Sequence, residues 1–325
     1  MVPGSEKKRA RIAFSHSMKL HPIVFPALAL AGAFTFAFAQ EKKEPDFTVS
    51  PDKIAKIDAS LPGKTPAPVG KKHEVLVFTR TVGFRHGSIP VGVEAMKRMG
   101  EKTGLFHVTH TEDPAAFEAD SLKKFDAVFM LNTTNEVFDT GDKAVEERLK
   151  ANLLAFVDSG KGIVGIHSAT DTYKGWKEYN EMMGGAFVKH PWNSGDTVRV
   201  KNLDPKHPVN ASFKGEGITL KDEIYKFRND TASPADRRML LALDANGTDM
   251  AKDTDDLRSL YPIAWVDTWG KGRVFYCSLG HNDEIYMNPV VMEHYLAGIQ
   301  YALGELKADA TPQAVLSPAQ ASQLR

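Results

Sequence analysis

Cysteine is almost missing from this chain: Cys277 is the only one among 325 residues. No intrachain disulfide can form, so stability has to come from a packed core, which a chain of this length can supply. Cys277 lies in the apolar stretch Arg273-Val274-Phe275-Tyr276-Cys277-Ser278-Leu279, which predicts a buried structural thiol rather than a nucleophile. Charge of one sign is also lacking, with 41 basic against 41 acidic residues. A chain so balanced does not predict a nucleic-acid partner. No Gly-x-Gly-x-x-Gly follows the first predicted strand, which argues against a tightly bound nicotinamide, so a redox role would need a partner protein. No internal repeat is visible.

What is present begins with an N-terminal segment unlike the rest. Lys7, Lys8, Arg9 and Arg11 precede an apolar run over residues 23–38, which ends in Ala37-Phe38-Ala39 before Gln40. This is the pattern of a secretory signal with an Ala-x-Ala cleavage site. Pro26 and Gly32 interrupt the run and a charged segment follows it directly, which argues against a stable membrane anchor. The expectation is a secreted or periplasmic protein, mature from Gln40, with residues 1–39 as signal peptide; Met18 would also serve as the start of a signal of ordinary length. Cleavage removes five of the 41 basic and one of the 41 acidic residues, leaving 36 against 40. Residues 40–72 are rich in Lys and Pro and read as a linker or surface arm, with a short helix over 51–59 starting at Asp52 and able to dock through Ile54 and Ile57.

From residue 73 to 306 the pattern is that of one elaborated domain, followed by a tail over 307–325. Strands over 75–79, 106–111, 127–131 and 162–167 alternate with helices over 88–102 and 142–159. This predicts an α/β fold, a mainly parallel sheet covered on both faces. Ser88 is the expected helix N-cap and Gly104 the expected stop. The second half is strand-like over 197–201, 218–227, 239–243, 263–268 and 273–279, which predicts an antiparallel extension. The chain then returns to the parallel sheet at 273–279 and closes with a helix over 289–304. Strands 75–79, 162–167 and 273–279 are expected as neighbours with aligned carboxyl ends.

Polar residues gather where these strands end, the usual ligand crevice of an open α/β sheet. Gly162-Ile163-Val164-Gly165-Ile166-His167 reads as a central strand delivering a histidine to a tight turn, at the position where related folds hold a strained nucleophile. Gly83-Phe84-Arg85-His86 joins a guanidinium and an imidazole at a helix start, suited to an anion or a sugar hydroxyl. Asn132-Thr133-Thr134-Asn135 offers neutral groups for a polyol, or a turn. His190, Asp222-Glu223-Ile224-Tyr225 and Gly280-His281 complete the set, whereas His207-Pro208 is expected to fix a turn and His107, His110 and His294 to pack. Together His86, His167, His190, Glu223 and His281 suit either a metal site, for a divalent ion such as zinc, or acid–base catalysis. None has a short His-x-His or His-x-x-x-His spacing, so either role depends on the fold bringing distant loops together.

The same motifs, with Gly270-Lys271-Gly272-Arg273-Val274-Phe275 leading to Leu279-Gly280-His281, resemble the ThuA-like (trehalose utilisation) family over residues 72–306. The resemblance implies a flavodoxin-like, class I glutamine amidotransferase-like three-layer sandwich, and a link to disaccharide and keto-sugar metabolism. In that superfold a cysteine nucleophile occupies the elbow where His167 stands, so glutamine hydrolysis is not carried over. The expectation is an exported enzyme acting on a small-molecule carbohydrate derivative by acid–base chemistry. His167 and His281 would be acid and base and Glu223 the orienting carboxylate or second base. Arg85, His86, Asn132, His190 and Tyr225 would hold substrate, and His86 and His190 would serve as candidate metal ligands. A sugar oxidoreductase is the implied partner. The rival readings are a non-catalytic carbohydrate-binding or accessory module and an amidotransferase-like hydrolase using Ser168.

Overall fold

The computed structural model describes residues 45–254 and 260–312. The expected signal segment with its cleavage site before Gln40, and most of the C-terminal tail, lie outside the described residues. Among the described residues no helix is long and apolar enough to cross a membrane.

The chain opens with α1 (Pro51–Ser60), β1 (His73–Phe78), α2 (Ile89–Thr103), β2 (Phe106–Thr111), the short α3 (Ala119–Leu122), β3 (Ala127–Leu131), α4 (Lys143–Asp158) and β4 (Gly162–Ile166). It continues with α5 (Lys177–Met183), β5 (Phe187–Trp192), β6 (Thr197–Asn202), β7 (Ile218–Lys221), β8 (Ile224–Phe227), β9 (Arg238–Leu243), β10 (Pro262–Trp269), β11 (Gly272–Cys277) and α6 (Pro289–Ala302). Nine strands form one sheet in the order β2-β1-β3-β4-β11-β10-β9-β6-β7, while β5 and β8 pair separately. The first five of that order are parallel and the rest antiparallel. The fold is therefore mixed α/β with a parallel half and an antiparallel extension.

Side-chain alternation along the parallel strands builds the three layers. Val75 and Val77 of β1, Phe129 and Leu131 of β3, Val164 and Ile166 of β4, and Phe275 and Cys277 of β11 belong to one core, together with α1, α2 and α6. Leu76 and Phe78, Val128 and Met130, Ile163, and Val274 and Tyr276 belong to the other, with α4 and α5. Period-two alternation between two apolar faces is what a doubly covered strand requires. Gly165 sits within this packing because Met183 of α5, Tyr276 and Ala169 press on β4 where a Cβ would stand.

Several expectations change. β3 lies between β1 and β4, so β1 is not β4's neighbour; β4 does pair with β11. The strand expected over 218–227 is broken at Asp222-Glu223 into β7 and β8, which join different sheets, because Asp222 turns inward to hold another loop. Strand 162–167 stops at Ile166, and His167 opens a single helical turn through Asp171. Gly104 does end α2 in the left-handed conformation, but Ser88, although at the N-cap, donates its hydroxyl to the Gly280 carbonyl at 2.8 Å instead of capping. α1 is capped by Ser50, which accepts from the Lys53 amide, rather than starting at Asp52. Ile57 is buried and Ile54 half-buried. Farther along the Lys/Pro-rich arm, Ala67 exchanges two hydrogen bonds with the Gln300 amide.

Candidate active site

His167 is delivered by β4 into a turn where its own φ is +49°, a conformation few residues other than glycine adopt. The ring is fully buried, and Nδ1–H donates to the Ser278 carbonyl at 2.7 Å, just past the end of β11. A carbonyl can only accept, so in the neutral ring the lone pair resides on Nε2. That Nε2 faces His86 Nε2 at 3.2 Å and Glu223 Oε1 at 3.7 Å. His281 Nδ1 stands 3.5 Å from Glu223 Oε1, close enough for charge attraction but without a hydrogen bond. One ligand atom from each of His86, His167, Glu223 and His281 lies within 4.8 Å of all the others.

The electrostatics sort these groups. Burial, with the charges of His281 and His190, pushes His86 down to about 3. Burial, with His86 adding to it, holds His167 well below the usual histidine range. Both rings are therefore neutral near pH 7. For His281 burial works against the charged form, but the Glu223 carboxylate more than offsets it and the net shift is upward. The crevice thus combines two neutral imidazoles with an imidazole–carboxylate pair.

The donor set suits a divalent cation. Neutral imidazole nitrogens and a carboxylate are what zinc takes, and four donors at roughly 2.0–2.1 Å from a tetrahedral ion stand about 3.3 Å apart. Separations of 3.2, 3.5 and 3.7 Å occur within the group, and no pair of the four atoms is more than 4.8 Å apart, so a small inward adjustment would close the set on an ion. His281 Nδ1 faces Glu223 Oε1 at 3.5 Å and has no closer polar partner, so a cation would be shared between the two. His86 Nδ1 lies 3.3 Å from Ser168 Oγ. If the hydroxyl accepts from Nδ1–H, the His86 Nε2 lone pair turns inward beside that of His167. The Ser278 carbonyl and the Ser168 hydroxyl then play the outer part that fixes ligand tautomers in metal sites.

The remaining expected site residues fall in three places. Tyr225 is buried, with its ring 4.5 Å from that of His167. His190 stands at the exposed rim, its Nδ1 3.4 Å from the outer oxygen of Glu223. Expected as a metal ligand with His86, it lies outside the group of four, where His167, Glu223 and His281 accompany His86. Arg85 turns to Glu112, at 2.7 Å, and lies over the Phe47 ring. Asn132, expected to meet a ligand, is fully buried, and its Nδ2 donates to Ser88 Oγ at 2.9 Å and the Gly280 carbonyl at 3.1 Å. Its work is to join loops.

Sequence reasoning gave no role to Asp222. Its buried carboxylate accepts from the Gly280 amide at 2.8 Å and the Asn282 amide at 2.9 Å, clamping the loop that presents His281. Adjacent in sequence, Asp222 positions one site residue while Glu223 forms the site itself. The signal was an acidic pair inside an otherwise strand-like stretch.

A parallel five-stranded core covered by helices on both faces, with the candidate site at the carboxyl ends of its strands, defines an α/β sandwich of the flavodoxin and class I glutamine amidotransferase kind. The ThuA family, described as trehalose utilisation, matches residues 74–302, and the chain belongs to that family. Among solved structures it is similar to a ThuA-like protein from Bacteroides uniformis, at 19% identity and TM-score 0.54 over 71% of this chain and 91% of that one. It is likewise similar to a ThuA-like protein from Parabacteroides merdae, at 21% identity and TM-score 0.53 over 74% of this chain and 93% of that one. At such identities these likenesses bear on the fold alone. No curated protein matches the chain significantly. The family description gives the chain a carbohydrate-related role.

Proposed function

We propose that this protein is an exported enzyme that binds a divalent cation, zinc by preference, at His86, His167, Glu223 and His281 and acts there on a disaccharide or keto-sugar derivative. The observation that carries the reading is the convergence of three imidazoles and one carboxylate at the ends of separate strands, with the His167 lone pair fixed inward by the Ser278 carbonyl. A bound cation would polarise a carbonyl or hydroxyl oxygen of the sugar. The chain's own groups do the rest. His167 and His86, neutral and desolvated, hold the centre. Glu223 divides its oxygens, one toward His167 and His281 and the other toward His190. His190, at the rim, is placed to exchange a proton with a substrate hydroxyl and with solvent. Tyr225 closes the floor beneath His167. Cys277 takes no part, being buried in β11.

The signal-like N-terminus supports a secreted or periplasmic location with Gln40 as the mature end, checked by N-terminal sequencing of exported protein. A sugar oxidoreductase that supplies or consumes the keto form is the partner this reading calls for.

The test is metal analysis of purified protein and calorimetric titration of the chelated form with zinc, followed by a turnover screen on trehalose, other disaccharides and their 3-keto forms. The expected result is one equivalent of metal, lost in His167→Asn, and turnover that chelation removes. Absence of metal uptake would refute the metal centre. Failure of every sugar to bind or react would refute the carbohydrate reading.

A further inference from the structure

Three large apolar side chains stand exposed among the described residues: Val69, Phe84 and Val188. Phe84 is the most exposed, at 63%, and it is also in contact with the site, its ring meeting that of His86 edge-on at 4.8 Å. A loose loop would give such exposure no meaning, but this loop is tied down. Thr134 Oγ1 donates to the Phe84 carbonyl at 2.8 Å, the Val82 amide donates to the Thr134 carbonyl at 3.0 Å, and Asn135 Nδ2 donates to the Val82 carbonyl. Thr81 forms a bridge with Thr134. The backbone is thus pinned to the segment after β3, and the phenyl ring is held in water beside the buried imidazoles. A second aromatic contacts the cluster through other residues: half-buried Phe187 lies 4.3 Å from Tyr225 and is stacked with His190 at 6.1 Å.

We propose that Phe84 is a sugar-stacking platform, receiving the apolar C–H face of a pyranose ring whose hydroxyls meet the cluster at its part-exposed edge, His281 and the Glu223 carboxylate. The assignment rests on the carbohydrate reading above and names the residue that selects the ring. A pyranose presents C–H groups on its faces and hydroxyls at its edge, so one flat aromatic beside a cluster of polar groups matches both. Phenylalanine suits the task because it has no hydrogen-bonding group of its own and only two side-chain torsions to fix. A protein partner would call for a contiguous apolar patch of several hundred Å². The sequence around Phe84, Val82-Gly83-Phe84-Arg85-His86-Gly87, offers a single ring between a glycine and an arginine already paired with Glu112.

The test uses the mature protein and compares wild type, Phe84→Ala and Phe84→Trp by calorimetry with trehalose and 3-keto-trehalose, with steady-state kinetics on whichever is turned over. Phe84→Ala is expected to weaken sugar binding and raise KM by about tenfold or more, with kcat within about threefold, because stacking is made in the ground state as well as in the transition state. Phe84→Trp should restore affinity, and zinc uptake should be the same in all three. Wild-type affinity in Phe84→Ala would overturn the proposal while leaving the carbohydrate reading intact. So would a change of oligomeric state in Phe84→Ala with sugar binding unaltered, which would assign the ring to a protein contact. A wild type that binds neither sugar would overturn both, and that result is visible before any variant is made.

Discussion

Gly280 is where the scaffold of the site can be broken with one methyl group. Its amide donates to Asp222 at 2.8 Å, and its carbonyl accepts from Ser88 Oγ at 2.8 Å, Asn132 Nδ2 at 3.1 Å and Tyr286 Oη at 3.3 Å. Its φ is +132°, which side chains rarely adopt, and a Cβ there would stand 2.9 Å from Tyr286 Oη and 3.0 Å from Ile166 Cγ2. Gly280→Ala therefore combines backbone strain of about 1–3 kcal/mol with overpacking of about 1–3 kcal/mol. Relaxing the clash would move the hydrogen-bond hub. A destabilisation of about 2–6 kcal/mol is expected, which at a urea m-value of about 3 kcal/mol/M lowers the unfolding midpoint by about 0.7–2 M. Zinc uptake should weaken as well, since His281 follows directly and His167 Cβ is 3.4 Å from the added methyl. The control is Gly87→Ala, next to His86, where nothing lies within 4 Å of the added Cβ. That change should stay within about 0.5 kcal/mol of wild type. If Gly280→Ala unfolds at the wild-type urea concentration and takes up zinc normally, the hub does not position the site as argued.

Burial raises the Cys277 thiol from 9.0 to about 12, leaving about a thousandfold less thiolate. The folded protein should resist a thiol reagent at pH 8 and react only as urea unfolds it, and Cys277→Ser should cost about 1–3 kcal/mol without loss of zinc uptake. Asn132→Ala should behave as a scaffold lesion, costing about 1–3 kcal/mol for the unpaired groups it leaves, with sugar affinity falling only in step with stability. Burial lowers His294 from 6.5 to about 4. Between those values the unfolded chain holds a proton the folded one lacks, so this stabilising contribution is complete above pH 6.5 and declines as pH falls toward 4, by about 3 kcal/mol in all. His294→Asn should flatten that limb of the urea midpoint against pH, and an unchanged slope would refute the assignment.

The parallel half of the sheet was legible because β1, β3, β4 and β11 are short apolar runs with clear boundaries, and burial on both faces leaves a pattern that local reading detects. The antiparallel half was legible as strands but not as connections. β7 and β8 read as one run because the residues at their break, Asp222 and Glu223, are explained only by what they reach: a loop some 60 positions away and a group of histidines from three other loops. His190 reads as a holder of substrate or metal, and His167 as an acid or base at the end of a buried strand. The local pattern shows the buried strand and turn that deliver His167, but nothing local places His190 on an exposed ribbon.

The gathering of the histidines has a topological cause that no spacing in the chain records. β4 and β11 are paired, so the loops carrying His167 and His281 start side by side. His86 follows β1, which β3 separates from β4, and its loop must therefore reach across the end of β3. Asn132 makes that crossing possible. It follows the last residue of β3, adopts a left-handed φ of +51°, and binds both Ser88, two residues after His86, and Gly280, one residue before His281. A residue read from the sequence as a contact for a polyol is instead what brings the first and last histidines over the central one.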